Sequence, residues 1–239
     1  MSDQSLDRRP LQLYEEALLL AIGDRTGNVV INQSQASILI SSAIFAELSI
    51  DESISLDGTE NVVRLSDEYA ESATDDKNKD RVHIDPLIAD VIQKLSSAKT
   101  SHSLKDWIGR VSGQTELLPK AAQQLCDRGI LEAKVEKVLW FFSRDYYPEI
   151  NPEPEKQVRD KVRSAVMGGA SVEPKVATLV GLASQMNLLS QMLSPSELKE
   201  QSKRIEMISR GDACSNVSQQ IFAYQQAALL SMTLMMAMD

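Results

Sequence analysis

Cysteine and histidine are nearly absent, with two of each in 239 residues: Cys126, Cys214, His83 and His102. They are scattered, without the Cys/His spacings that build a zinc site, so no metal is expected and both cysteines read as buried, reduced thiols. Two histidines also leave little from which to assemble a hydrolytic triad. Aromatic residues make up only 5% of the chain, and 10 glycines with 8 prolines supply few of the turns that an all-β fold requires. Positive charge is short as well. The net charge is −9, which argues against a nucleic-acid binder, because phosphate contacts need a basic field. The N-terminal MSDQSLDRRP has no leader-like apolar stretch. The most apolar segment, ALLSMTLMMAM at 228–238, is shorter than the ~20 residues that span a bilayer. It reads as a buried terminal helix, and the chain as cytoplasmic, with peripheral membrane contact at most.

Phosphate-cradling and nucleophile motifs are missing too. No glycine pattern matches a P-loop or a dinucleotide fingerprint; Gly168-Gly169 lacks the spacing and a preceding strand. There is no Gly-x-Ser-x-Gly elbow. The acid pairs Glu15-Glu16 and Asp75-Asp76 are sequence neighbours, which point apart on a helix, so they read as solvated faces. No catalytic residue and no cofactor is expected, and the chain does not read as an enzyme.

What is present is a folded, helix-rich composition, 43% hydrophobic and 25% charged. LQLYEEALLLAIGDRTG, residues 11–27, predicts a helix over 11–22 stopped by a turn at Asp24-Arg25-Thr26-Gly27. Residues 36–50 predict a helix apolar nearly all round and therefore central, with its one charge, Glu47, at the helix edge. NVVRL at 61–65 predicts a strand, and the polar run at 71–82 an exposed loop. Asp85-Pro86 opens a helix as N-cap and first residue; Ser103 to Asp106 is a capping box for the next. A helix over 116–128 stops at Gly129, followed by two β-prone patches that predict a hairpin. A basic helix that begins at Asn151-Pro152 or Glu153-Pro154 and runs to about 167, an apolar one over 174–193, a fresh cap at Ser194-Pro195-Ser196-Glu197 and two further helices complete the chain. The expected architecture is mainly α: a flexible segment over 1–10, then a single compact multi-helix domain over 11–239 with one protruding β-hairpin.

Two features stand out as functional candidates. Leu139, Trp140, Phe141 and Phe142 hold one of the two Trp and two of the four Phe in the chain. Side chains alternate across a strand, so Trp140 and Phe141 point to opposite faces, and the segment is either covered by a helix or an apolar tip for a membrane or partner. Lys156, Arg159 and Arg163, with Lys161 nearby, form a basic stripe on a helix. That stripe either pairs with Glu153, Glu155 and Asp160 or attracts anionic lipid, at about 1 kcal/mol per cation.

The order of the segments resembles the Golgi phosphoprotein 3 family. The resemblance rests on Leu11-Gln-Leu-Tyr-Glu-Glu-Ala-Leu-Leu-Leu20 with Asp24-Arg-Thr-Gly27, and on Ile44-Phe-Ala-Glu47-Leu48. Asp106-Trp107-Ile108 with Ser112-Gly113, and Gln124-Leu-Cys-Asp-Arg-Gly129-Ile-Leu131, follow in order, and the likeness runs to about residue 210. It implies a mostly helical peripheral membrane protein that reads phosphatidylinositol 4-phosphate and inserts a hydrophobic hairpin. In eukaryotes such proteins retain glycosyltransferases in the Golgi. The turn after the first helix would launch the loop toward the lipid pocket. The family's headgroup residues, a Trp and three Arg, fall by gapless counting on Asn32, Ser41, Thr115 and Leu118. All four are replaced, and none of the four offers the charge-assisted donors a phosphomonoester needs, so selective binding of this phosphoinositide is expected to be lost or much weakened. The partners implied are an anionic phospholipid membrane surface on its cytosolic side, a second copy of the chain, or a protein client. Three readings compete: a peripheral membrane protein, an interaction or oligomerisation module using the same hairpin, and, last, a winged-helix DNA binder. The helix before Gly129 carries Lys120 and Arg128 against Glu116 and Asp127, which suits phosphate contacts poorly.

Overall fold

A helix that is apolar all round has to be covered on every side, and two such helices form the centre of this protein. The structure is a computed structural model that describes residues 9–23, 27–66, 85–139, 142–210 and 216–236, with side chains at 137–144 and 232–236 left aside. Helix α1 spans Leu13–Ala21 with every residue buried, and α2 spans Gln33–Ile50, buried from Ala36 to Leu48. They pack on one another. Around them, in chain order, come α3 (Pro86–Ser97), α4 (Leu104–Ser112), α5 (Leu117–Asp127), α6 (Glu153–Met167), α7 (Pro174–Gln185), α8 (Pro195–Glu200), α9 (Ser202–Arg210) and α10 (Asn216–Met236). Helices α5, α6 and α7 cover α1, while α4, α5, α7 and α10 cover α2. The fold is mainly α, as the sequence predicts.

Most boundaries follow from end signals. Asp85 caps α3, its Oδ1 accepting from Leu87 N at 2.9 Å and Ile88 N at 3.3 Å, with Pro86 in the first turn. Ser103 caps α4 through Asp106 N, and Ser194 with Glu197 forms the expected box at α8.

Four expectations need correction. The apolar stretch 174–193 is not one helix: α7 ends at Gln185, Asn187 adopts φ 57°, and a 3-10 turn follows over Leu188–Gln191. Asn tolerates the left-handed region, and one such residue ends a helix whatever the hydropathy around it. A second antiparallel pair is present, β1 (Ile54–Asp57) with β2 (Val62–Leu65), so the strand expected at 61–65 has its partner immediately upstream. The terminal helix α10 is buried at Val217, Ile221, Phe222 and Gln225 and packs Ala228 and Leu229 partly buried against the core, but Leu230 is 60% exposed, and the side chains of the expected buried segment from 232 onward lie outside those described.

The largest correction concerns the acids. Glu15, Glu16 and Glu47 are all buried, not solvated faces or a helix edge. The Glu15 carboxylate is held by Arg9 at 3.1 Å and by Arg128 Nη1 at 2.7 Å; Glu16 meets Lys161 at 2.5 Å. Glu47 accepts from Lys175 Nζ at 2.7 Å and from Leu13 N at 2.7 Å. Its carboxylate therefore satisfies one of the free N–H groups that open α1. Burial pushes the Glu47 carboxyl upward, opposed by Lys175 and the Leu13 amide. Arg9 also bonds Asp85 at 2.9 Å, which in turn accepts from the Tyr14 hydroxyl at 2.8 Å. Burial, with Glu15 and Asp85 nearby, raises the Tyr14 phenol far above its ordinary value, so it stays a neutral donor. Asp75-Asp76, the 71–82 loop and Cys214 lie outside the described residues.

Candidate functional site: a hairpin clamped at its base

Helix α5 ends with Gly129 at φ +68°, a conformation glycine adopts without strain, and the chain turns into Ile130 and Leu131, both buried. From there strand β3 (Lys134–Leu139) runs out and β4 (Phe142–Tyr146) returns, antiparallel. The register pairs Lys134 with Tyr146, Val135 with Asp145, Glu136 with Arg144, Lys137 with Ser143 and Leu139 with Phe142, with an irregularity between Lys137 and Leu139. Trp140 and Phe141, between the last pair in sequence, lie outside the described residues, as do the side chains of Leu139 and Phe142. The opposite-face expectation for Trp140 and Phe141 therefore falls outside them too.

A two-stranded hairpin alone is marginally stable in water, so its base decides whether it can present anything. Here the base is bonded on both sides. Glu132 N donates to Pro148 O at 3.0 Å, Ile150 N to Ile130 O at 3.0 Å, and Leu131 bridges Glu149. Tyr147 is buried, and its N–H donates to Gly27 O at 2.7 Å. Gly27, the last residue of the Asp-Arg-Thr-Gly stop after α1, sits at φ +65°, and a Cβ there would fall 2.4 Å from Pro148 N. Gly27 thus supports the hairpin's base, while residues 24–26 of the expected turn lie outside the described residues. Burial lifts the Tyr147 phenol to about 12, and burial likewise raises the Cys126 thiol at the end of α5. Both stay uncharged at neutral pH.

Among the described residues, the large apolar side chains left exposed are Val30, Val135, Ile150, Met167, Met207 and Leu230. Val135 is on the hairpin, and Val30 and Ile150 lie on the two loops that meet through Gly27 and Tyr147 beneath it. Charge on the described part of the hairpin is mixed: Lys134 pairs with Glu132 at 2.8 Å, and Glu136 and Asp145 are exposed.

The four counted headgroup positions are spread over different tasks. Asn32 caps α2 reciprocally with Gln35, at 2.9 and 3.1 Å. Ser41 is fully buried and donates back to Ile38 O at 3.1 Å. Thr115 is exposed ahead of α5, and Leu118 packs half-buried against the core. The basic stripe of α6 is held by partners. Lys156 pairs with Asp160 at 2.8 Å, Arg159 with Glu155 at 2.5 Å and with Gln191 O at 3.2 Å. Arg163 bonds Glu197 and, at 2.9 Å, Met192 O, tying α6 to the segment before α8. That contact, with the Ser194 amide and hydroxyl, lowers the Glu197 carboxyl to about 2.

The place of Gly27 under the hairpin and the burial of the acids escaped sequence reasoning. For Glu15 and Glu16 a signal existed, since acids inside a helix apolar on all faces have no solvent side to occupy. Among the described residues no group of three His, Cys, Asp or Glu is placed to hold a metal. No helix among them is long and apolar enough to cross a membrane.

The family described as Golgi phosphoprotein 3 (GPP34) matches residues 13–224. The chain belongs to that family. A comparison with curated proteins finds no match. For this Golgi phosphoprotein 3 family member the matched range contains α1, both hairpins and the first part of α10. The clamp formed by Gly27 and Tyr147 and all four counted headgroup positions lie inside it.

Proposed function

We propose that this protein is a peripheral membrane protein that inserts the apolar end of the β3–β4 hairpin, Leu139, Trp140, Phe141 and Phe142, into an anionic phospholipid surface. Family membership supports the general role. The observation that carries the reading is the clamp under the hairpin, where Gly27 O, Ile130 O and Pro148 O take hydrogen bonds from the facing segment. A rigid base lets the outer apolar residues meet a bilayer without first ordering, and aromatic rings suit its interface. Lys156 is the first of the α6 cations to supply attraction, because its pair with Asp160 is exposed on both sides and weakly held. Asn32, Ser41, Thr115 and Leu118 do not form a phosphoinositide clamp in this reading, so charge rather than headgroup identity governs binding. The membrane face is the cytosolic one, and the Golgi membrane if the host is a eukaryote.

Vesicle sedimentation tests this. Phosphatidylcholine vesicles doped with phosphatidylserine, or with phosphatidylinositol 4-phosphate at equal charge, are expected to pellet the protein equally, and undoped vesicles poorly. Burying one large aromatic contributes roughly 1.5–3 kcal/mol. The double variant Trp140→Ser, Phe141→Ser should therefore lose at least about tenfold in partitioning, with its helical circular dichroism unchanged. A variant that unfolds, or that still sediments fully, removes the reading. Loss of self-association without loss of vesicle binding assigns the apolar end to a second copy instead.

A further inference from the structure

A strongly basic hollow on an acidic protein invites the question of what the hollow is for. Between the end of α3, the loop 98–103 and α4 lies a cleft of about 610 Å³. Lys94, Lys99, His102 and Arg110 line it together with Thr100 and Gln114, and among the described residues its lining contains no Asp or Glu. An adjoining hollow of about 250 Å³ shares Lys99, Thr100 and His102 and adds Arg64, which is paired with Asp57 at 2.9 Å; no carboxylate among the described residues lines it. On a chain of net charge −9 this is a local inversion of sign.

The cleft is built rather than incidental. Its loop is pinned to the first hairpin, since Val63 N donates to His102 O at 3.1 Å and Leu104 N to Asn61 O at 2.9 Å. Trp107 forms the floor, nearly buried; the His102 ring meets it edge-on at 5.5 Å, and the Arg110 guanidinium lies over its face at 6.0 Å. Lys94 is oriented by Asp90 at 2.5 Å and Gln114 at 2.9 Å. Lys99 and Arg110 have no carboxylate within ion-pair distance among the described residues, in contrast to the α6 cations. The nearest acid on α4, Asp106, is engaged by the Ser103 hydroxyl at 2.8 Å. The indole is covered by its two neighbours, so the cleft offers an aromatic base no stacking face.

We propose that this cleft binds a phosphate ester of sugar or polyol size, with Lys99 and Arg110 as the uncommitted donors and His102, Lys94 and Thr100 completing the shell. A planar guanidinium presents two parallel donors to a phosphate, and lysine supplies point charge. An extended polyanion is disfavoured because the surrounding acidic body would repel it beyond the cleft. None of Asn32, Ser41, Thr115 and Leu118 lines the cleft, although Gln114, next to Thr115 in sequence, does; no residue of the β3–β4 hairpin lines it, and it does not depend on the membrane reading. The phosphate ester could be soluble or a lipid headgroup.

Calorimetric titration of the full chain with glycerol 3-phosphate and with inorganic pyrophosphate is the first arm. Vesicles of phosphatidylcholine with and without phosphatidylinositol 4-phosphate are the second. Saturable binding of at least one probe is expected, weakening as salt rises. Lys99→Glu and Arg110→Gln should each weaken it about tenfold, the loss of one charge-assisted contact. Lys120→Glu, an exposed lysine outside the cleft, should leave it unchanged. Binding of the soluble probes assigns a soluble ligand; binding only to doped vesicles that persists in the Trp140→Ser, Phe141→Ser variant and is weakened by Lys99→Glu assigns a headgroup. Trp140→Ser, Phe141→Ser should not alter the soluble arm, which separates this site from the hairpin. No saturable binding in either arm, or binding indifferent to Lys99→Glu in a protein that still melts normally, overturns the proposal.

Discussion

Replacing Gly27 by alanine should destabilise the protein far more than the same replacement at Gly58, although the two share a backbone conformation. Gly27 has φ +65° and Gly58 φ +67°. A Cβ at Gly58 meets nothing within 4 Å, whereas at Gly27 it would stand 2.4 Å from Pro148 N and 2.7 Å from both Pro148 Cα and Tyr147 C. Those atoms are backbone at the hairpin's base and cannot swing aside as a side-chain end could. The left-handed conformation alone costs an L-residue about 1–2 kcal/mol, and that is all Gly58→Ala should show. Gly27→Ala adds an overpacking cost of about 1–3 kcal/mol, plus strain on the Tyr147 N to Gly27 O bond. A total near 3 kcal/mol corresponds to a fall in melting temperature of about 6–12 °C for a chain of this size. Urea unfolding of both variants gives the comparison, and hydrogen exchange at the Tyr147 amide reports the clamp itself. Equal destabilisation by the two variants within about 0.5 kcal/mol, with Tyr147 exchange unchanged, would refute the clamp.

Arg128→Met should cost about 3 kcal/mol in urea unfolding, because it leaves Glu15, fully buried, with Arg9 as its remaining ion-pair partner. The double variant Glu15→Leu, Arg128→Met should recover most of that loss, since removing both charges leaves none uncompensated; no recovery would show the pair is not the cause. Glu197 should titrate near 2 by carboxyl NMR, below its ordinary 4.5. Because the folded value is depressed, its contribution to stability is present above the ordinary value and is lost as pH falls from about 4.5 toward 2. Arg163→Gln should move the midpoint up by about a unit, with the Ser194 contacts keeping it from returning fully; an unmoved midpoint would assign the whole shift to Ser194.

The helices were legible where one signal dominated. Asp85-Pro86, Ser103 with Asp106, and Ser194 with Glu197 each carry a cap in consecutive residues, and each is where the structure starts a helix. The hairpin was legible because β-prone patches follow a glycine stop. The ionic core was not, because its partners lie far apart in sequence: Glu15 with Arg128, Glu16 with Lys161, Glu47 with Lys175. A local reading sees only that adjacent acids point apart on a helix and assigns them to water. The basic cleft escaped for a different reason: Lys94, Lys99 and Arg110 are near one another in sequence but sit on α3, a loop and α4, and only the pinned loop brings them around one hollow. The break at Asn187 was hidden by hydropathy, which continues unbroken through a residue whose φ does not.

The four counted headgroup positions bear on how recognition could change within one fold. Ser41 is enclosed in α2 and bonded to its own helix, so a guanidinium there would be buried without a partner and would cost several kcal/mol. Asn32 closes a capping box, and replacing it would forfeit about 0.5–2 kcal/mol of helix stability. Leu118 contributes apolar area to the core. Charged or bulky residues cannot be restored at these positions one at a time without a penalty at each step. Lys99 and Arg110 carry no such penalty, being exposed on a loop and at the end of α4. A cationic shell is cheap to build there and cheap to alter, while the clamped hairpin is fixed by backbone hydrogen bonds that no surface substitution touches. On the proposed reading of the cleft, selection for a different anionic ligand would act there, and the hairpin would persist through it.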